Sequence, residues 1–546
     1  MVKVEKVKIG ELTHYLRKHK VVIPEFQRGY VWSDKQVKDL YDSIVKKYPI
    51  GTIVLWKTSQ RIGFRNMFNI KLNNFGHKTF VIDGQQRLLT LYYLLNQKDF
   101  LQVQREFEEV YEGKSHKIVK FEQFYNKGKS LEKSFNSNCN FDSKEMYRLI
   151  GKKYKLPILI IDLKEVRQAI EVFERINQAG TRISSDAIFL SESWNKKSNL
   201  GKMLRNWRYK IKNNNLNKID NIIFVHALSV IAQLEEQSKK KSRASVDISL
   251  KQLKKVAIDI RKEKSAKYQK MLRRVMSAAE DAWSFVEREF KVRSIRSIPS
   301  QTLLTILMVY YYYHANKTEH KSQVKELKKW FWRASFSNRY VGRGYGDNVK
   351  KDVVFMKDLA QKRKKIKIGK AYFKYEDLKN IDIHTGRSSI RNAIKLMFWN
   401  LGPTWIDGTS INIDETASAK RKKQDDHFYP YNLSKQYKQI GNSINSILNL
   451  NFIPQLKNAS KNAYLPSYWY NQLKEKSTIE DQKKFFKTTL LPFKDINSLI
   501  NAESHLGGRK RKLKINRFLK YYDEFLFKRF ELFTKRISLL QSGKIK

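Results

Sequence analysis

The residues best suited to chemistry lie in one stretch, 425–461, which reads DDHFYPYNLSKQYKQIGNSINSILNLNFIPQLKNASK. Hydrolysing a phosphodiester needs a water activated beside a phosphorus already crowded with negative charge. A neutral imidazole serves as general base there, while a hard cation neutralises the phosphate and the leaving oxygen. His427 supplies an imidazole and Asp426, directly before it, a carboxylate. Neighbours on an extended segment point to opposite faces, so one can hold a metal while the other addresses the water. Asn458 and Lys461 are three apart and share a face if their segment is helical. An amide oxygen there would complete an oxygen-rich shell of the kind Mg2+ or Mn2+ takes, and the lysine would offset charge on the scissile group.

To bring these groups together the chain needs two short strands, a fixed loop between them, and a helix. The pair of strands, with Asn449 in the apolar run between Asp426-His427 and Asn458, resembles the ββα-metal finger of HNH nucleases. On that resemblance Asp426 is a metal ligand, His427 the base, Asn449 the residue that fixes the loop, and Asn458 the second ligand. Lys461 joins the catalytic set. The trailing LPSYW is similar to the variant of this finger at the C-terminus of GmrSD-type modification-dependent restriction enzymes. An Asp-His pair by itself is more often structural; the five residues in order carry the nuclease reading.

A second group of motifs lies in the first third of the chain. TFVID reads as a strand, Gly84 turns the chain, and QQRLLTLYYLL opens a helix. Glycine permits close approach of a ligand, the unpaired amides of Gln85, Gln86 and Arg87 attract phosphate, and Arg87 adds a guanidinium. Alone, a Gly before a helix is usually just a turn. Taken with IPEFQRGYVW, PIGTIVLW and FERINQAGTRIS, however, the set resembles the ParB-like nucleotide-dependent domain at the N-terminus of GmrSD-type restriction proteins. That resemblance implies binding and hydrolysis of a nucleoside triphosphate. It assigns Gln27, Arg28, Tyr30 and Trp32 to a first motif, Asp83, Gly84, Gln85, Gln86 and Arg87 to a second, and Asn177 and Gly180 to a third. Arg28 and Arg87 would hold phosphates, Tyr30 or Trp32 would stack on a base, and Asp83 would hold a metal or orient a water. No Walker A loop exists, because the Lys-Ser steps after Gly113 and Gly128 lack the upstream glycine of the phosphate cradle.

The elements around these motifs follow from periodicity and charge. A helix is expected at IGELTHYLRK, another after Ser33 through Ile44, and a buried strand at GTIVLW. From about residue 195 to 345, apolar residues recur at three- and four-residue intervals with Lys and Arg opposite, which predicts a helical connector. Residues 349–418 read as mixed, with a helix at SSIRNAIKLMFWNL and a strand at SINIDE; two further helices are expected after the finger. The fold class is therefore α+β and multidomain: 1–194 ParB-like, 195–345 helical, and 346–546 an HNH domain with basic C-terminal helices.

The 546 residues carry 109 Lys and Arg against 53 Asp and Glu, a formal charge of +56. That surplus points to a polyanion, with nucleic acid first because each neutralised phosphate releases counterions. The basic runs at 420–423 and 508–512 are candidate contacts to a duplex backbone. One cysteine, Cys139, excludes a disulfide framework and any CxxC zinc site, in keeping with a cytoplasmic setting. The longest apolar run, 303–313, is too short to span a bilayer, so no membrane partner is expected. The expectation is a nucleotide-regulated, metal-dependent endonuclease acting on modified double-stranded foreign DNA in phage defence, with homo-oligomerisation left open. A second class is a nucleotide-gated DNA-binding or sensing protein with a weak or inactive nuclease, and a third is an RNA-binding or ribosome-associated factor whose charge does the work.

Overall fold

The computed structural model describes residues 2–544 except 25–26, 28–31, 33, 60–63, 65–77, 96–151, 164–167, 170, 173–174, 177–183, 195–198, 212, 240–245, 263–264, 315–318, 343, 363–364, 385–387, 412–422, 455–463 and 508–512. The chain forms two compact units, Met1–Glu235 with Asp247–Met276, and Glu236–Val246 with Ser277–Lys546.

The first unit is built on a five-stranded sheet of β1 (Val2–Lys8), β2 (Val21–Val22), β3 (Ile53–Thr58), β4 (Lys78–Asp83) and β5 (Lys155–Asp162), in the order β1-β5-β3-β4-β2. The sheet is mixed: β1 is antiparallel to β5 and β3 to β4, while β3–β5 and β2–β4 are parallel. Central β3 reads as an unbroken apolar run because both of its faces are covered. Ile53 and Leu55 join Val81 in a cluster with Ile9, Leu12 and Leu16 of the helix Ile9–Arg17 and with Leu88 and Leu91 of Gln85–Leu95. Val54 and Trp56 turn the other way, onto Val22, Phe80 and Ile82. Helices continue the unit, including Ser185–Glu192, Leu200–Lys210, Asn221–Lys239 and Leu250–Lys262.

In the second unit the helix Thr302–His314 is apolar all round and buried along almost its whole length, as a central packing element must be. No helix among the described residues is long and apolar enough to cross a membrane. The region expected to be mixed from residue 349 opens within a long helix, Tyr345–Lys362, which begins inside the glycine-rich stretch. Further on, Ser388 caps the helix Ser389–Leu401, its side chain accepting from the Arg391 amide. The two-stranded sheet of β6 (Lys423–His427) and β7 (Leu450–Pro454) follows, antiparallel, with Asp426 opposite Asn451 and His427 opposite Leu450.

Beyond β7 the described residues hold four α-helices, Pro466–Asn471, Ile479–Thr488, Ile496–Glu503 and Ile515–Ser542, where two were expected. The extra breaks are made by local chemistry. Pro466 starts one helix, and capping boxes at Thr478 with Asp481 and at Asp495 with Ser498 start the next two. Residues 412–415 of the SINIDE strand, and the helix assigned to Asn458 and Lys461, lie outside the described residues.

Candidate active site

The β6–β7 hairpin is closed by Asn449, whose side chain is fully buried. Its Oδ1 accepts from the Tyr429 amide at 2.9 Å, while Nδ2 donates to the carbonyls of Tyr429 at 3.0 Å and Ile444 at 2.9 Å. One amide therefore stitches the exit of β6 to the entrance of β7, and a hydrophobic residue of the same size would orphan three backbone groups. Behind the hairpin stands Arg529, from the helix Ile515–Ser542, fully buried. Its guanidinium donates to the carbonyls of Leu448, Leu450, Thr489 and Leu490 at 2.6–3.1 Å. Burial pushes its pKa down to about 9.

His427 ends β6 and is 5% exposed. Its Nε2 meets Asn445 Oδ1 at 2.9 Å. An amide oxygen only accepts, so in the neutral ring Nε2 carries the proton and Nδ1 keeps the lone pair. Nδ1 lies 3.9 Å from Asp426 Oδ1 with no hydrogen bond between them, so the two side chains, expected on opposite faces, approach each other at the end of the strand. Asp425, one residue earlier, takes an ion pair at 2.6 Å from Lys395, whose ammonium also donates to the Ile383 carbonyl.

Segment 381–384 packs against the hairpin loop. The Ile383 amide donates to the Asn445 carbonyl at 2.8 Å, and the Ile447 amide to the Ile381 carbonyl at 2.7 Å. This brings the ring of His384 edge-on to that of His427, with centroids 5.4 Å apart. Burial, the adjacent His427 and Lys395 lower the pKa of His384. On the other side Tyr431 leans over His427 at 5.7 Å, and Lys435 sits over the tyrosine ring. Asn445, His384, Lys395 and Tyr431 were not singled out from the sequence. Asn445 lies four residues before Asn449 in a stretch dense with asparagine, and His384 is far upstream with no spacing to tie it to His427. Asn458 and Lys461 lie outside the described residues. Among the described residues no group of three or more His, Cys, Asp or Glu is gathered as for a metal ion, so an ion held by Asp426 would need amide and water oxygens to complete its shell.

In the first unit Gly84 has φ +83° and Gly51 φ +84°, left-handed conformations that favour glycine. A Cβ at Gly84 would stand 2.4 Å from the Ile53 side chain, and one at Gly51 would stand 2.1 Å from Arg87 Nη1. The Arg87 guanidinium is folded into this turn: Nη1 donates to the Ile50 carbonyl at 2.7 Å, and Nη2 to the Thr52 carbonyl and Asp83, both at 3.0 Å. Gln27 is buried with its Nε2 donating to the carbonyls of Val81 and Ile82, at 2.6 and 2.8 Å. Gln85 and Gln86 are buried in the first turn of their helix, and Trp32 packs half-buried against the sheet's core. The structure thus draws Gln27 and the Asp83–Arg87 turn to the end of β4. Arg28, Tyr30, Asn177 and Gly180 lie outside the described residues.

An uncharacterized protein of the archaeon Methanocaldococcus jannaschii is 22% identical over an alignment that covers 93% of this chain and 95% of that protein. The likeness runs through both units. Residues 9–194 match the family model described as the GmrSD restriction endonuclease, N-terminal domain, so the first third of this chain is similar to a domain of restriction endonucleases.

Proposed function

We propose that the protein is a nucleotide-regulated, metal-dependent DNA endonuclease that nicks or cleaves modified foreign DNA in antiphage defence. The observation that carries the reading is His427 beside Asp426 at the end of β6, with its Nε2 engaged by Asn445 and the hairpin closed by Asn449. In this reading His427 Nδ1 takes a proton from the water that attacks phosphorus, and Asn445 keeps the ring in the tautomer that can do so. Asp426 and Asn458 would hold Mg2+ or Mn2+; a carboxylate with an amide oxygen is a hard donor set that suits either ion. When bound, such an ion neutralises charge on the phosphate and the leaving oxygen. Lys461 would add positive charge to the same phosphate.

The likeness of residues 9–194 to a restriction-endonuclease domain supports the class of enzyme and a DNA partner. Gln27, Arg28, Tyr30, Trp32, the turn from Asp83 to Arg87, Asn177 and Gly180 would form the nucleoside triphosphate pocket and its NTPase centre. A phosphate arriving there competes with Asp83 for Nη2 of Arg87, which couples occupancy to the turn holding β3 and β4. A second reading, a nucleotide-gated DNA-binding protein with a weak nuclease, is favoured by the small exposure of His427.

Cleavage assays separate the two. Purified protein with Mg2+ or Mn2+ is given DNAs with different cytosine and backbone modifications, with and without a panel of nucleotides. His427→Ala should lower the rate by about a hundred- to ten-thousandfold, the range for a general base. Undiminished cleavage by that variant rejects the assignment.

A further inference from the structure

We propose that His384 touches the substrate: its imidazole donates a hydrogen bond to a non-bridging oxygen of the scissile phosphodiester. The inference rests on the nuclease reading above and adds a residue from outside the hairpin.

His427 is 5% exposed, and its Nε2 is engaged by Asn445. Whatever reaches its other nitrogen passes the side chains that cover the ring, and two of these are His384 and Tyr431. The ring of His384 is itself exposed, so a phosphate drawn toward His427 meets it at the surface.

The spacing of the two imidazoles is set by one residue. The side chain of Asn445 holds the ring of His427, while its backbone carbonyl accepts from Ile383, the residue before His384. The His384 amide in turn donates to Asp382 Oδ1 at 2.7 Å, and Asp382 is bridged to Ser446. Any shift of the hairpin loop therefore carries both rings together, which is what two groups acting on one phosphate require.

The charge balance fits a neutral donor. Lys395 and Asp425 beside the rings neutralise each other at 2.6 Å. The surroundings of His384 favour its uncharged form, so it can offer N–H without placing a second cation next to the base. A ring serving only as cover would need no nitrogen.

The test uses the full chain and a plasmid that the wild type cuts with Mg2+ or Mn2+. It compares wild type, His384→Phe, His384→Ala, His384→Gln and His427→Ala for kcat, KM and thermal midpoint. His384→Phe, which keeps a ring without a donor, should lose about ten- to a hundredfold in kcat, as expected for one donor to a charged oxygen, with KM and midpoint unchanged. His384→Ala should behave alike, and His384→Gln, which restores an N–H, should recover part of the loss. Wild-type kcat in His384→Phe overturns the proposal, as does a loss that appears only in KM or only together with a lowered midpoint. If His427→Ala is inactive while His384→Phe is not, this proposal alone falls. If His427→Ala cuts as fast as wild type, the nuclease assignment falls and takes it along.

Discussion

Behind the hairpin, a single carboxyl makes stability depend on pH. Glu503 is buried, with Oε1 accepting from the Tyr429 hydroxyl at 2.6 Å and Oε2 from the Ser467 amide at 2.9 Å. Burial raises its pKa from an ordinary 4.5 to about 7, against the lowering effect of those bonds. A group whose folded pKa lies above its unfolded value favours the protonated fold. Its contribution is full below about pH 4.5 and is lost as pH rises through about 7, a span worth roughly 3 kcal/mol. Glu503→Gln should flatten the dependence of stability on pH across that window and leave the variant at least as stable as wild type at pH 8. Denaturant titrations of both chains at a series of pH values check it. Residue types marked His427 and Asp426 as a candidate base and hard ligand, and the resemblance to HNH nucleases added Asn449 as the residue that fixes the loop. They left Asn445 unmarked, since one asparagine among many is not distinguished until its oxygen faces an imidazole.

At the scale of elements, the hairpin depends on a helix far along the chain. Arg529 turns the carbonyls of Leu448 and of Leu450, the first residue of β7, and those of Thr489 and Leu490 into a single bound set. Arg529→Met leaves four buried carbonyls without these donors and should destabilise the fold by about 3–5 kcal/mol, the usual range when a buried charged partner is removed. Arg529→Lys should not restore it, because one ammonium cannot span carbonyls on both segments. Chemical denaturation followed by far-UV dichroism measures both variants. Most of the element pattern was legible beforehand: β3, β4 and the helices at Ile9–Arg17, Gln85–Leu95 and Ser389–Leu401 fall where period and caps put them. The breaks after β7 were missed because a continuous amphipathic pattern hides short caps such as Thr478 with Asp481.

At the scale of the molecule, the charge of +56 makes a specific prediction about DNA binding. If about six or more phosphates are neutralised, affinity should fall by about a thousandfold or more between ~50 and ~200 mM salt. Fluorescence anisotropy with a labelled duplex across that range gives the slope, and a flat response would remove the basic surface from the binding account. Chelation with EDTA should stop cleavage while leaving this binding in place, since the backbone contacts need no divalent ion.

Composition, periodicity and cap chemistry act over a few residues, and so strand, helix, turn and net charge could be read along the chain. The meeting of His384 with His427, the hold of Asn445 on both, and the grip of Arg529 on the hairpin come from segments far apart in sequence. No local rule ties such segments together. They meet because burying the apolar faces of the helices and the hairpin leaves few arrangements in which every buried carbonyl and amide is also satisfied.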